Sequence, residues 1–237
     1  MSTPALSEPL RNPEISTVRA VHLDGPAGCL EALVNNGASE ASCAALVCHP
    51  HPLAGGTMHN KIAYHAMKVL NAPEWGLRWP VLRFNFRGAG LSEGTHEGKA
   101  ETGDVLSALD WLKTEYGLPV VVVGFSFGAA MALGACCDPS LGHAARANVR
   151  ALVALGLPTQ AFGHSHRYPY LSGCTLPKLL LSGDCDRFAP RAELEQVVEA
   201  AANPTTLVFI PGADHSFSDQ IEAMQKSLFV WLKERVQ

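Results

Sequence analysis

The chain has 237 residues, 47% of them hydrophobic and 17% charged, with a formal net charge of −4 at pH 7. That length and apolar content suit one large α/β domain and leave little room for disorder. The acidic balance and the lack of a Lys/Arg cluster point away from nucleic acid and from an anionic membrane surface.

Met1 to Arg19 contains Pro, Glu and Ser but no apolar core of a signal peptide, and no run of about 18 apolar residues is present. A cytoplasmic protein is expected. Its seven cysteines are odd in number and lack C-x-x-C metal spacing, so reduced thiols are expected.

Residues 1–16 read as a flexible N-terminus and 17–237 as a single domain. T-V-R-A-V-H-L (17–23) and G-C-L-E-A-L-V-N (28–35) flank Asp24-Gly25-Pro26, a turn signal, and read as a hairpin. A-A-L-V-C-H (44–49) is a buried strand, followed by a Gly-rich loop and a helix from about Met58 to Leu70. W-P-V-L-R-F-N-F (79–86) is the next strand. D-V-L-S-A-L-D-W-L-K-T-E-Y (104–116) carries apolar residues at 105, 106, 109 and 112, a helical stripe. Four consecutive valines in P-V-V-V-V-G (119–124) mark a strand buried on both faces. Further strands are expected at 149–155, 177–182 and 205–210, with helices near 126–137, 190–202 and 217–235. A hairpin followed by repeated strand–helix units predicts a mostly parallel sheet with helices on both faces. The irregular stretch 157–175, with His164, His166, Tyr168 and Tyr170, reads as a short cap or pocket wall.

The pattern G-x-S-x-G occurs twice, as G-F-S-F-G at 124–128 and as G-L-S-E-G at 90–94. A nucleophilic serine on a sharp turn needs a strand ending in the turn, a helix starting at once after it, and small flanking residues. Ser126 meets all three conditions. Ser92 lies several residues beyond its strand and precedes the polar E-G-T-H-E-G-K, so it reads as a scaffold loop residue.

A serine hydroxyl needs a general base, and the base needs an orienting carboxylate. Of the histidines after Ser126, only His215 sits in a short loop directly after a strand. Asp184 and Asp186 both follow the strand at 177–182, and spacing does not separate them. Asp186 is favoured, with Asp184 satisfying turn amides. Asp214 reads as a turn residue.

An oxyanion hole needs two backbone N–H donors. Phe127, next to the serine, supplies one. The loop H-P-H-P-L-A-G-G-T-M-H-N-K supplies the other, and because proline has no N–H the candidates are His51 and Leu53, with His51 favoured. His49, His51 and His59 raise the question of a metal. The proline between the first two disturbs chelation and no further ligand stands at suitable spacing, so no metal or other cofactor is expected. Gly55-Gly56 and G-A-G-L-S-E-G match no phosphate-binding pattern.

Together these residues resemble the α/β-hydrolase superfamily over roughly residues 17–235. More narrowly, C-H-P-H-P-L-A-G-G-T-M-H-N-K (48–61), R-F-N-F-R-G-A-G-L-S-E-G (83–94) and G-F-S-F-G resemble small bacterial α/β hydrolases related to dienelactone hydrolases. The resemblance implies an eight-stranded sheet with its second strand antiparallel. It also supports Asp186, since the superfamily's acid follows a G-x-x-D pattern four residues before a proline, here Gly183, Asp186 and Pro190. It places Arg87 and Ser92 in a structural loop. Dienelactone hydrolases proper use a cysteine nucleophile, whereas this sequence has Ser126. The implied activity is carboxylic ester hydrolysis through an acyl-enzyme on small soluble esters. A thioesterase or acyltransferase would use the same residues, and a catalytically silent binding module is the reading from another class.

Overall fold

A computed structural model describes residues 17–236 apart from 143 and 162. The expected flexible segment 1–16 lies outside the described residues. Eight strands form one sheet: β1 (Val18–Gly25), β2 (Gly28–Asn35), β3 (Ala44–Cys48), β4 (Val81–Phe84), β5 (Val120–Phe125), β6 (Val149–Leu155), β9 (Lys178–Gly183) and β10 (Thr205–Ile210). Between β6 and β9 lies a two-stranded ribbon of two-residue strands, β7 (Gln160–Ala161) and β8 (His164–Ser165). The sheet order is β1-β2-β4-β3-β5-β6-β9-β10. β2 runs antiparallel to both of its neighbours, and from β4 to β10 every pairing is parallel.

Five helices connect and cover the strands: α1 (Lys61–Asn71), α2 (Glu101–Tyr116), α3 (Phe127–Cys137), α4 (Arg191–Ala200) and α5 (Ile221–Arg235). The valine run explains the layering. Val120 and Val122 point into a core shared with α2, α3 and α4, while Val121 and Val123 point into a second core shared with α1 and α5. Period-two alternation along a strand therefore fills two apolar layers at once, which is why the run contains no polar residue. This is the α/β-hydrolase fold.

Helix boundaries shifted where a cap decided them. α1 begins at Lys61 rather than near Met58, because the Asn60 side chain accepts the Ile62 and Ala63 N–H groups. α2 begins three residues earlier than its apolar stripe suggested, and its first turn buries Glu101 and Asp104. Asp104 takes the Arg87 guanidinium at 2.6 Å and the Arg87 N–H at 3.0 Å, so the Gly-rich loop after β4 is tied to α2. Within that loop Ser92 accepts from Glu31 N–H and donates to the Asn85 carbonyl, tying the middle of β2 to the residue that follows β4.

One expectation is corrected. Cys137, at the end of α3, is joined to Cys174 in a disulfide, with Cα atoms 5.2 Å apart. The two lie 37 residues apart in sequence, and only the packing of the 169–173 turn beside α3 brings them together. The other five cysteines are thiols. Among the described residues, no helix is long and apolar enough to cross a membrane.

A tight backbone crossing lies between β5, α3 and β3. A Cβ on Gly124 would stand 2.4 Å from the Gly128 carbonyl oxygen, and one on Gly128 would stand 2.4 Å from the His49 carbonyl oxygen. Backbone cannot yield as a flexible side chain can. Gly128→Ala should therefore lower unfolding stability by about 2 kcal/mol or more in urea denaturation. Gly173→Ala, where a Cβ meets nothing within 4 Å, should stay within about 0.5 kcal/mol of wild type.

Candidate active site

The parallel strands end along one edge, where ligands of open α/β sheets are bound. β3 leads there into the loop 49–60, β5 into Ser126, β9 into Asp186 and β10 into His215. Ser126 adopts φ 54° and ψ −119°, outside the regions a serine ordinarily occupies, at a cost of about 1–3 kcal/mol. The strand before it and the helix after it hold it there: Ser126 N–H donates to the Leu155 carbonyl, and its own carbonyl accepts from Ala129 and Ala130. Its side chain consequently stands clear of both elements at the N-terminus of α3, where backbone N–H groups favour developing negative charge.

His215 Nε2 lies 2.9 Å from Ser126 Oγ, and His215 Nδ1 lies 2.8 Å from Asp186 Oδ2. A carboxylate accepts, so Nδ1 carries the proton and Nε2 offers its lone pair to the serine hydroxyl. The Asp186 side chain is fully buried, and it also accepts from Phe188 N–H at 2.8 Å and Ser182 Oγ at 3.2 Å. Those bonds fix which oxygen faces the imidazole. Phe188 and Phe125 flank the His215 ring at centroid distances of 4.7 and 5.1 Å. Asp184 is turned the other way, accepting the Gly212 N–H at 2.7 Å. Asp214 accepts from Ser216 and Ser218, and hydrogen bonds from Ser218 lead in holding its carboxyl below the usual range.

Ser126 opens into a cavity of about 410 Å³. Phe125, Phe127, Ala130, Met131, Pro158, Ala161 and Phe188 give it a mainly apolar wall, and His51, Asn60, His166, His215 and Ser216 supply polar groups. Of the four residues assigned to the pocket from sequence, only His166 lines this cavity. His164 is exposed on β8. Tyr168 is buried, with its hydroxyl donating to the Pro158 carbonyl, and Tyr170 packs edge-on against it beside α3. The Tyr168 ring braces the cap from within, because burying a phenol requires a partner for its O–H. Leu53 also leaves the candidate set. It is 78% exposed, it does not line the cavity, and its N–H donates to His51 Nδ1 at 3.2 Å. His51 remains.

Several polar residues around the site were not singled out from sequence. His96 Nδ1 lies 2.7 Å from Glu101 Oε1, and its ring stands 4.5 Å from His51 and 5.3 Å from Phe127. Burial alone would push the Glu101 carboxyl up, but the Glu97 and Gly98 N–H groups and His96 outweigh it, and the net shift is downward. Arg83, almost fully buried, donates to the Met58 carbonyl, and Asn85 accepts the Met58 N–H. These two residues clamp the far end of the 49–60 loop. The near end is held by His49. Its fully buried ring places Nδ1 2.6 Å from the Pro50 carbonyl oxygen, and Nε2 accepts the Phe86 N–H at 3.0 Å. Burial drives its pKa down to about 4, against a smaller upward pull from the bond to Pro50.

The alpha/beta hydrolase domain model matches residues 54–228. An uncharacterized protein of Rickettsia prowazekii is 31% identical over 217 residues, covering 88% of this chain and 86% of that protein. Among solved structures, a serine hydrolase without lid from Xanthomonas campestris shares 27% identity at a TM-score of 0.75, over 94% of this chain and 97% of that one. A serine hydrolase homologue from Coxiella burnetii shares 28% identity at a TM-score of 0.75, over 90% of this chain and 96% of that one.

The His49 environment has a consequence for stability in acid. The folded ring stays neutral down to about pH 4, whereas in the unfolded chain it takes a proton below its ordinary value near 6.5. Between those values the unfolded state binds more protons, so stability falls as pH falls. From pH 7 to pH 5 wild type should lose about 2 kcal/mol more than His49→Gln, measured by urea unfolding at both pH values.

Proposed function

We propose, from the premise that this chain belongs to the alpha/beta hydrolase domain family, that it is a serine hydrolase cleaving small soluble carboxylic esters through an acyl-enzyme on Ser126. The observation that carries this reading is the unbroken hydrogen-bonded chain from Asp186 through His215 to a serine held at φ 54° over the cavity. The description of the Xanthomonas neighbour as a serine hydrolase supports it.

In the first half-reaction Ser126 Oγ attacks the acyl carbon while its proton passes to His215 Nε2. The carbonyl π electrons move to oxygen, and the oxyanion is received by the N–H groups of Phe127 and His51. Asp186 stabilises the imidazolium, which then protonates the departing alkoxide as the C–O bond breaks. Water enters, loses its proton to His215, and attacks the acyl-enzyme, and the carboxylic acid leaves as Ser126 regains its proton. The cavity volume and apolar wall suit a short acyl group.

A fluorophosphonate probe should modify wild type and leave Ser126→Ala unmodified; equal labelling of both would exclude Ser126 as nucleophile. On a p-nitrophenyl ester, Asp186→Asn should lower kcat by about 10⁴-fold through the wrong imidazole tautomer. Asp184→Asn, which alters only a turn contact, should retain most of the activity. A larger loss at 184 would reverse the assignment of the acid.

A further inference from the structure

The mechanism above uses the N–H of His51 but gives no part to the histidine two residues before it. We propose that His49 is a positioning residue that aims the His51 N–H at the oxyanion, by gripping the carbonyl oxygen of the peptide unit to which that N–H belongs. The inference rests on the acyl-transfer reading and concerns the same site.

The geometry leaves one tautomer. The Pro50 carbonyl can only accept, so the His49 nitrogen 2.6 Å from it carries the proton. The Phe86 N–H can only donate, so the other nitrogen, 3.0 Å away, carries the lone pair. A ring with both nitrogens committed in a fully buried site cannot flip without losing two bonds. The displacement of its pKa to about 4 agrees with a neutral ring at working pH.

The Pro50 carbonyl and the His51 N–H are two ends of one planar unit. Among the described residues, the one cis peptide bond is Asn203–Pro204, so the 50–51 unit is trans and its C=O and N–H point in opposite directions. Holding the oxygen toward His49 therefore turns the N–H of cavity-lining His51 away from it. Gly56 closes the other side, since a Cβ there would stand 2.1 Å from the Pro50 oxygen. Gly128 locks the assembly to the nucleophile's helix, because its Cα packs against the His49 and Cys48 carbonyls. The direction of one proposed donor is thus fixed relative to the helix that supplies the other.

Asparagine and glutamine separate this role from simple packing. The Asn amide reaches about as far as Nδ1 and can donate to the Pro50 carbonyl. The Gln amide reaches about as far as Nε2 and can accept from Phe86 while leaving Pro50 unheld. With a p-nitrophenyl ester, His49→Asn should keep kcat within about threefold of wild type. His49→Gln should lower kcat by on the order of 10²-fold with KM little changed, as for loss of an oxyanion donor. Equal kcat in the two variants, or the reverse order, would overturn the proposal. A ¹⁵N spectrum of the wild-type imidazole at pH 7 tests it without any variant. Protonation at Nδ1 supports it, and protonation at Nε2 overturns it. Wild type that neither hydrolyses the ester nor takes a fluorophosphonate would instead remove the acyl-transfer reading underneath.

Discussion

The backbone crossing at Gly124, Ser126 and Gly128 sets the positions of nearly everything else at the site. β5 must turn into α3 within one residue, and α3 must then pass close enough to β3 for Gly128 to touch the carbonyls of residues 48 and 49. No side chain fits at either glycine, and Ser126 accepts a left-handed φ as the cost of the turn. That strain is held by the sheet: the residues before the turn are valines buried in two apolar layers, and those after it form a helix buried on almost every face. The result is a hydroxyl fixed in position before any substrate arrives.

The same crossing brings two otherwise separate segments together. The loop after β3 and the first turn of α3 meet at Gly128, and residues of both line the cavity. The loop is anchored at one end by His49 and at the other by Arg83 and Asn85 on Met58, all buried polar groups with their bonding largely committed. In the proposed acyl transfer, donors fixed in this way would avoid the reorganisation that water would need to stabilise an oxyanion. Burying such groups is costly unless they are paired, so their pairing both stabilises the fold and fixes the loop.

Much of this was legible in the sequence. The valine run, the small residues around Ser126 and the loop of His215 directly after a strand each obey a local rule of strand, turn or helix, whereas spacing alone left Asp184 and Asp186 unseparated. What was not legible depends on which strands become neighbours. His49 was weighed only as a metal ligand, although a histidine closing the wholly apolar A-A-L-V-C-H could have been read as a buried, neutral ring. The Arg83–Met58 contact spans 25 residues and the Cys137–Cys174 pair spans 37, and no periodicity encodes either. Tyr168 and Tyr170 were assigned to the pocket because the 157–175 stretch is polar and irregular. Tyr168 instead turns inward to an acceptor at Pro158, ten residues away, and Tyr170 packs edge-on against it.

The central claim is that Ser126 carries the acyl group between two half-reactions. Rapid mixing with a slowly deacylating p-nitrophenyl ester, followed by acid quench and peptide mass spectrometry, tests it most directly. The structure predicts a p-nitrophenol burst approaching one equivalent and a matching acyl mass on the peptide containing Ser126. Turnover with no burst and no adduct, or an adduct on a cysteine or another serine, would contradict it.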